Sequence, residues 1–152
     1  MPSSFLTSSF AYYLNAYNAL AMLAVVKIRG LESVGNRKIR FFYFSRHDLG
    51  GERMSLYYLE NSIIRGEYDE PRIHFALNCQ SVGCPRLPNA AFKAEILDQQ
   101  LEAVTSEFVT NSHKVRVGGD GVPEVSQIFE WFADDFAATG GVLPFINANG
   151  GD

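Results

Sequence analysis

Side chains that could carry chemistry are concentrated between residues 71 and 87, a segment that holds both cysteines of the chain. The alternation of apolar and polar residues over 72–80 predicts a β-strand. In such a strand Cys79 lies on the apolar face, where a thiol is a small, inert hydrophobic group. His74 and Asn78 share the other face. Cys84 follows in a loop rich in glycine and proline, where reactive groups are often displayed.

Three functional interpretations of this cluster are open. In the first, His74 and Cys84 form a base–nucleophile pair of the kind used by thiol hydrolases and acyl transferases. In the second, Cys79 and Cys84 form a local disulfide, structural or redox-active. In the third, all three bind zinc, but their spacing fits no familiar zinc motif and no fourth ligand is evident, so we expect no metal and no cofactor. The alternative without function is a hydrogen-bonded core histidine.

A second polar feature lies in the uncharged run from Phe10 to Val26. The run is short for a membrane span, and the residues before it lack the basic start of a signal peptide. We therefore expect a helix buried on all sides of a globular core. Asn15 and Asn18 share a face of this helix, with the hydroxyl of Tyr17 nearby. Each amide either fixes the backbone of a neighbouring loop or lines a site and orients a catalytic group.

The other elements follow from periodicity, capping residues and turns. They are a strand at 39–44, helices beginning at Ser55, Ala90 and Ser126, and a hairpin at 115–125. Asp135 is expected to pair with Arg65 or Arg72. Few strands among long helices indicate an α+β domain, in which a central buried helix packs on a small, mostly antiparallel sheet with further peripheral helices.

Length and composition limit the classes of function. The chain has 152 residues, 47% of them hydrophobic, which predicts one domain over 1–152 with residues 147–152 as a frayed tail. The net charge of −4 argues against nucleic acid and anionic membrane surfaces as partners. We expect a small-molecule or peptide substrate, with a protein partner as a further option and no membrane span.

The polar and aromatic residues also occur in a distinctive order. They are Asn15-Ala-Tyr17-Asn18-Ala-Leu20, Gly51, Ser55-Leu56, Glu60, Arg72-Ile-His74-Phe75-Ala76-Leu77, Cys79, Ser81, Cys84-Pro85, Leu87, Ser126, Trp131 and Asp135-Phe136. Over about residues 10–146 this order resembles the domain-of-unknown-function family numbered 547. The resemblance implies that bacterial relatives are often exported, which suits a disulfide, and that relatives joined to coiled-coil or redox modules have an interaction role. The sequence itself predicts no particular compartment.

A helix on a small sheet with Cys, His and amide side chains is similar to papain-like and transglutaminase-like folds. In those folds the cysteine starts the central helix and precedes the histidine, which is the reverse of the order of His74 and Cys84.

The leading expectation is a thiol-dependent hydrolase or acyl transferase acting on an amide or ester, with Cys84 as nucleophile and His74 as base. An asparagine would orient the base or donate to an oxyanion. The alternatives are a non-catalytic binding or scaffolding domain and a Cys79–Cys84 redox element. The candidate catalytic residues are Cys84, His74, Asn15 and Asn18, and the candidate binding residues are Asn78, Arg72, Tyr17 and Glu60.

Overall fold

The computed structural model describes residues 4–27, 40–80 and 83–150, in which helical segments alternate with two short hairpins. The α-helices are α1 (Ser4–Lys27), α2 (Leu56–Tyr58), α3 (Arg65–Glu67), α4 (Ile73–Ala76), α5 (Leu97–Val109), α6 (Gln127–Trp131) and α7 (Val142–Asn149). The π-helices are Arg40–Phe44 and Leu59–Ile64, and the 3-10 helices are Ala94–Ile96 and Ala133–Thr139. The strands are β1 (His47–Leu49), β2 (Glu52–Met54), β3 (Val115–Val117) and β4 (Pro123–Val125). This composition confirms the α+β class.

The described strands form two separate antiparallel pairs, β1 with β2 and β3 with β4. Gly50 and Gly51 turn the chain between β1 and β2 with φ angles of 63° and 88°, a region that residues with a side chain rarely adopt. The second pair is the hairpin predicted at 115–125. Helix α1 packs mainly on helical neighbours, namely α2 and the segments Leu59–Ile64 and Ala94–Ile96.

Helix α1 is central to the core, but it is buried on one side only. Leu14, Tyr17 and Ala21 are buried, whereas Phe5 and Val26 near its two ends are 75% and 78% exposed. The prediction of a helix buried on all sides is therefore wrong, because the described elements cover a single face. By length and composition α1 is the one described helix that could cross a membrane, which is weak evidence since soluble core helices meet the same criterion.

The segment after Ser55 is helical, as predicted. The Ser55 hydroxyl accepts a hydrogen bond from the backbone N–H of Tyr58 at 3.1 Å, which is the expected N-cap. The chain stays helical through α2, the π-helix Leu59–Ile64 and α3. Leu56, Leu59 and Ile64 are buried against α1 and its neighbours.

Two predicted strands are helical instead. Residues 72–80 contain α4, whose helical hydrogen bonding ends with the N–H of Leu77 donating to the carbonyl of Ile73 at 3.0 Å. All four residues of α4 are buried, His74 included, so the alternation of apolar and polar residues in the sequence does not correspond to a buried and an exposed face. The aromatic run Arg40–Phe44 is a π-helix, and Ile39 lies outside the described residues.

The core consists of two clusters that meet at α4. One surrounds α1 and includes Ile73 and Leu77. The other is aromatic and contains Phe75 together with Phe108, Phe129, Phe136 and Phe145. Phe145 and Ile146 dock the C-terminal helix as predicted, but α7 continues to Asn149, so residues 147–149 belong to this helix and not to a frayed tail. Because α4 contributes to both clusters, its position is fixed from two sides.

Candidate functional site

An aromatic cleft of about 390 Å³ opens beside α4. Its wall includes two stacked tyrosines, Tyr43 and Tyr57, whose ring centroids are 4.4 Å apart. Trp131 at the end of α6 is 55% exposed at the same cleft. The described lining residues are Tyr17, Phe42, Tyr43, Tyr57, Glu60, Asn61, His74, Leu77, Cys79, Cys84, Ile128, Trp131 and Phe132. Ligand sites in proteins are commonly concave and mostly apolar, with few polar groups, and this cleft has that character.

His74 is held in the cleft wall by a carboxylate. Its Nε2 lies 2.7 Å from Oδ2 of Asp135, and its ring stacks on Phe132 with centroids 4.0 Å apart. Asp135 lies in the first turn of the 3-10 helix Ala133–Thr139 and also binds Arg65 through both of its oxygens, at 2.8 and 2.7 Å. The predicted partner of Asp135 is therefore confirmed as Arg65. The third guanidinium nitrogen donates to Oδ1 of Asn61 at 2.5 Å.

Burial dominates the protonation of His74. Loss of hydration lowers its pKa to about 4, against the opposing effect of Asp135. Asp135 has a lowered pKa because Arg65 hydrogen-bonds its carboxylate, and Asp135 in turn raises the pKa of Arg65. At neutral pH the pair Arg65–Asp135 is ionised and His74 is neutral. The consistent tautomer has a proton on Nε2, donated to Asp135.

Both cysteines line the cleft, and they form a disulfide bond with each other. The chain contains two cysteines, so neither is a free thiol in this structure. In the interpretation based on the sequence, His74 acts on the thiol of Cys84. Here the sulfur of Cys84 forms a disulfide with Cys79, and Nε2 of His74 is hydrogen-bonded to Asp135 instead.

The ends of the disulfide loop are fixed by further hydrogen bonds. The side chain of Asn78 donates to the carbonyl of Pro85 at 2.6 Å and accepts from the N–H of Gln80 at 2.8 Å. Lys114 donates to the carbonyl of Cys84 at 3.2 Å. Asn78 thus joins the two segments that flank the disulfide loop and does not line the aromatic cleft. Ser81 lies outside the described residues.

The two asparagines of α1 both bind backbone. Asn15 donates to the carbonyl of Phe92 at 2.9 Å and accepts from the N–H of Phe92 at 2.8 Å. Asn18 donates to the carbonyl of Ala76 at 2.9 Å and accepts from the N–H of Asn78 at 2.9 Å. Of the two roles left open by the sequence, the geometry matches the fixing of neighbouring loops. Neither asparagine lines the cleft.

The other candidate binding residues separate into two groups. Tyr17 and Glu60 line the cleft, where the Tyr17 hydroxyl donates to Oε2 of Glu60 at 3.0 Å. Burial, reinforced by the Glu60 charge, raises the pKa of Tyr17 well above its usual value, so it remains a phenol. Arg72 lies away from the cleft and binds Glu70 and Asp98, at 2.6 and 2.8 Å, which ties the turn before α4 to α5.

Sequence reasoning missed most of the cleft wall. Phe42, Tyr43, Tyr57 and Phe132 come from three separate aromatic runs, and no spacing rule connects them. The available signal was the local density of aromatic residues at 41–44, 57–58 and 129–132. Among the described residues, no group of three or more His, Cys, Asp or Glu side chains is placed to hold a metal ion.

Comparison with known proteins gives one match. A family model described as "Protein of unknown function, DUF547" matches residues 6–109, well over half of the chain. The matched part includes the α1 asparagines, His74 and both cysteines, whereas Trp131 and Asp135 lie beyond it. No curated protein and no solved structure matches the chain.

Proposed function

The chain belongs to the DUF547 family, which is described as proteins of unknown function. We propose, from the geometry of its cleft, that the chain is a ligand-binding domain. The cleft takes the apolar part of a small molecule or of a peptide. The observation that carries the proposal is a concave, aromatic wall of ligand-site size, about 390 Å³, in which Tyr43, Tyr57 and Trp131 keep 43–55% of their surface exposed. Exposed aromatic side chains grouped at one concavity are typical of binding sites.

The polar residues nearby support binding over catalysis. The amides of Asn15 and Asn18 bind backbone and do not line the cleft, so they are not placed to donate to an oxyanion there. His74 has a pKa near 4, which makes it a weak base at neutral pH. Loss of hydration on burial outweighs the stabilisation that Asp135 would give an imidazolium on His74, and the nearby Arg65 charge opposes that imidazolium further.

A matched pair of variants tests the proposal. Tyr57 and Tyr58 are adjacent and similarly exposed, at 43% and 48%, but of the two only Tyr57 lines the cleft. We use the neutral probe m-tert-butylphenol and follow backbone amide NMR shifts. Binding should perturb amides around the cleft and saturate. Tyr57→Ala should weaken it about tenfold, which is ~1.4 kcal/mol, and Tyr58→Ala should leave it unchanged.

The proposal is wrong if the probe produces no saturable shifts at the cleft, or if both alanine variants weaken binding equally. Circular dichroism of each variant separates loss of binding from loss of fold. Since Tyr57 contributes a stacking contact with Tyr43 and is not part of the buried core, its removal should leave the fold intact.

A second candidate function is the thiol-dependent hydrolysis or acyl transfer expected from the sequence. The observation in its favour is that Cys79, Cys84 and His74 line one cleft. Reduction of the disulfide by a phosphine, which becomes the phosphine oxide as two thiols form, would supply the nucleophile. Iodoacetamide should then alkylate Cys84 faster than Cys79, and His74→Ala should slow the reaction. Equal rates, or rates independent of His74, would exclude the pair as a catalytic unit.

A further inference from the structure

Resting on the proposed function, we infer that the cleft selects organic cations: an alkylated ammonium or a guanidinium group with an apolar body, bound among the aromatic rings near the Glu60 carboxylate. This selectivity depends on the kinds of ring and charge that line one cavity.

The aromatic wall provides the first argument. Phe42, Tyr43, Tyr57, Trp131 and Phe132 all line the cleft. The face of an aromatic ring carries partial negative charge and attracts cations, most strongly for tryptophan. This wall already makes one such contact, since the Arg65 guanidinium carbon lies 4.9 Å from the centroid of Phe132.

The charge of the lining provides the second argument. Among the described residues that line the cleft, one carries a carboxylate, Glu60, and none is lysine or arginine. The nearby cation Arg65 is hydrogen-bonded to Asp135 and Asn61 and also interacts with the Glu60 charge, but Glu60, Asp135 and Arg65 together still carry a net charge of one negative. His74 adds no positive charge at neutral pH. The described lining is therefore complementary to a positive ligand and unfavourable for an anion.

Hydration selects among cations. A primary ammonium is a compact, strongly hydrated charge, and a mostly apolar cleft offers few polar groups to replace the water that it loses on binding. An alkylated ammonium or a guanidinium is more weakly hydrated and can contact ring faces without that loss. The size of the cleft, about 390 Å³, also leaves room for an apolar body beside the charged group.

Three probes of similar shape separate this inference from the proposed function. They are m-hydroxyphenyltrimethylammonium, its neutral isostere m-tert-butylphenol and the anion m-hydroxybenzoate, titrated against the full chain by backbone amide NMR. The cation should bind about fivefold to thirtyfold more tightly than the neutral isostere, and the anion should bind most weakly. Glu60→Gln, which keeps an acceptor for the Tyr17 hydroxyl, should reduce the preference about fivefold.

Glu102→Gln is the matched control, because it removes the same charge from the exposed side of α5, away from the cleft. It should leave the preference unchanged. Equal binding of the cation and its neutral isostere at the cleft would refute the cationic ligand class and leave the binding domain standing. Absence of binding by all three probes would refute both. A cation preference equally reduced by both glutamine variants would show general charge attraction and would overturn the role of the cleft.

Discussion

Acidification from pH 8 to pH 5 should destabilise the wild-type protein by about 2 kcal/mol more than the His74→Gln variant. The folded pKa of His74 is about 4, and that of an unfolded histidine is about 6.5. Between these values the unfolded state binds a proton that the folded state does not, so stability falls as the pH falls through this window. A pH of 5 is about 1.5 units below the pKa of the unfolded histidine, and each unit lowers the free energy of unfolding by ~1.4 kcal/mol.

The assay is urea unfolding at pH 8, 7, 6 and 5, followed by circular dichroism. His47 is also buried and its pKa is lowered by burial and by Lys27, but it is present in both proteins and cancels in the comparison. Asp135 has a lowered pKa and contributes stability that is lost only at more acidic pH than this range. His113→Gln serves as the control, because His113 is exposed in the turn after α5.

Two results would refute the reasoning. Parallel stability curves for wild type and His74→Gln would show that His74 does not resist protonation in the folded state. An imidazole NMR titration of His74 in the wild type with a midpoint between pH 6 and 7 would show the same thing directly, and it does not depend on the variant folding. Either result would restore His74 as a competent general base at neutral pH.

Three further predictions concern stability and are measured by urea unfolding. Asn18→Ala should cost about 2–4 kcal/mol, because it leaves one buried carbonyl and one backbone N–H without their partners; a loss below about 1 kcal/mol would contradict this. Reduction of Cys79–Cys84 should cost about 2 kcal/mol, since the loop is short, without abolishing the cooperative transition. Arg65→Met and Asp135→Asn should each destabilise by about 1–2 kcal/mol, and the double variant by less than their sum, as expected for a quarter-exposed ion pair.

Capping residues predicted local structure more accurately than the apolar runs of the sequence did. Ser55 and Ser126 cap helices as predicted, because a side-chain acceptor at an N-terminus acts over two or three residues of chain. Of the two partners predicted for Asp135, Arg65 and Arg72, the structure shows Arg65. The strand expected over 72–80 is helical at α4, because the polar His74 is buried together with its apolar neighbours and the alternation in the sequence therefore does not mark an exposed face.

The cleft could not be predicted because its wall is assembled by tertiary packing. Tyr43 and Tyr57, which stack on each other, are separated in sequence by a hairpin, and Phe132 stacks on His74 although it lies far from it in the sequence. Taken singly in the sequence, each of these aromatic residues is typical of an ordinary core or surface position. The candidates named from the sequence do include five residues that line the cleft, but they were grouped with amides that bind backbone elsewhere; the five are Tyr17, Glu60, His74, Cys79 and Cys84.

The surroundings of His74 favour ligand binding over hydrolysis at this cleft, through its burial first and through the nearby Arg65 charge second. In hydrolytic triads the carboxylate beside the histidine stabilises the imidazolium that forms when the nucleophile loses its proton. Here the burial of His74 outweighs the stabilisation that Asp135 would give, and both oxygens of Asp135 already accept hydrogen bonds from Arg65. The three residues then act as a rigid, net-neutral wall behind the aromatic rings. A wall of that kind suits a site that binds and orients a ligand better than one that must move a proton.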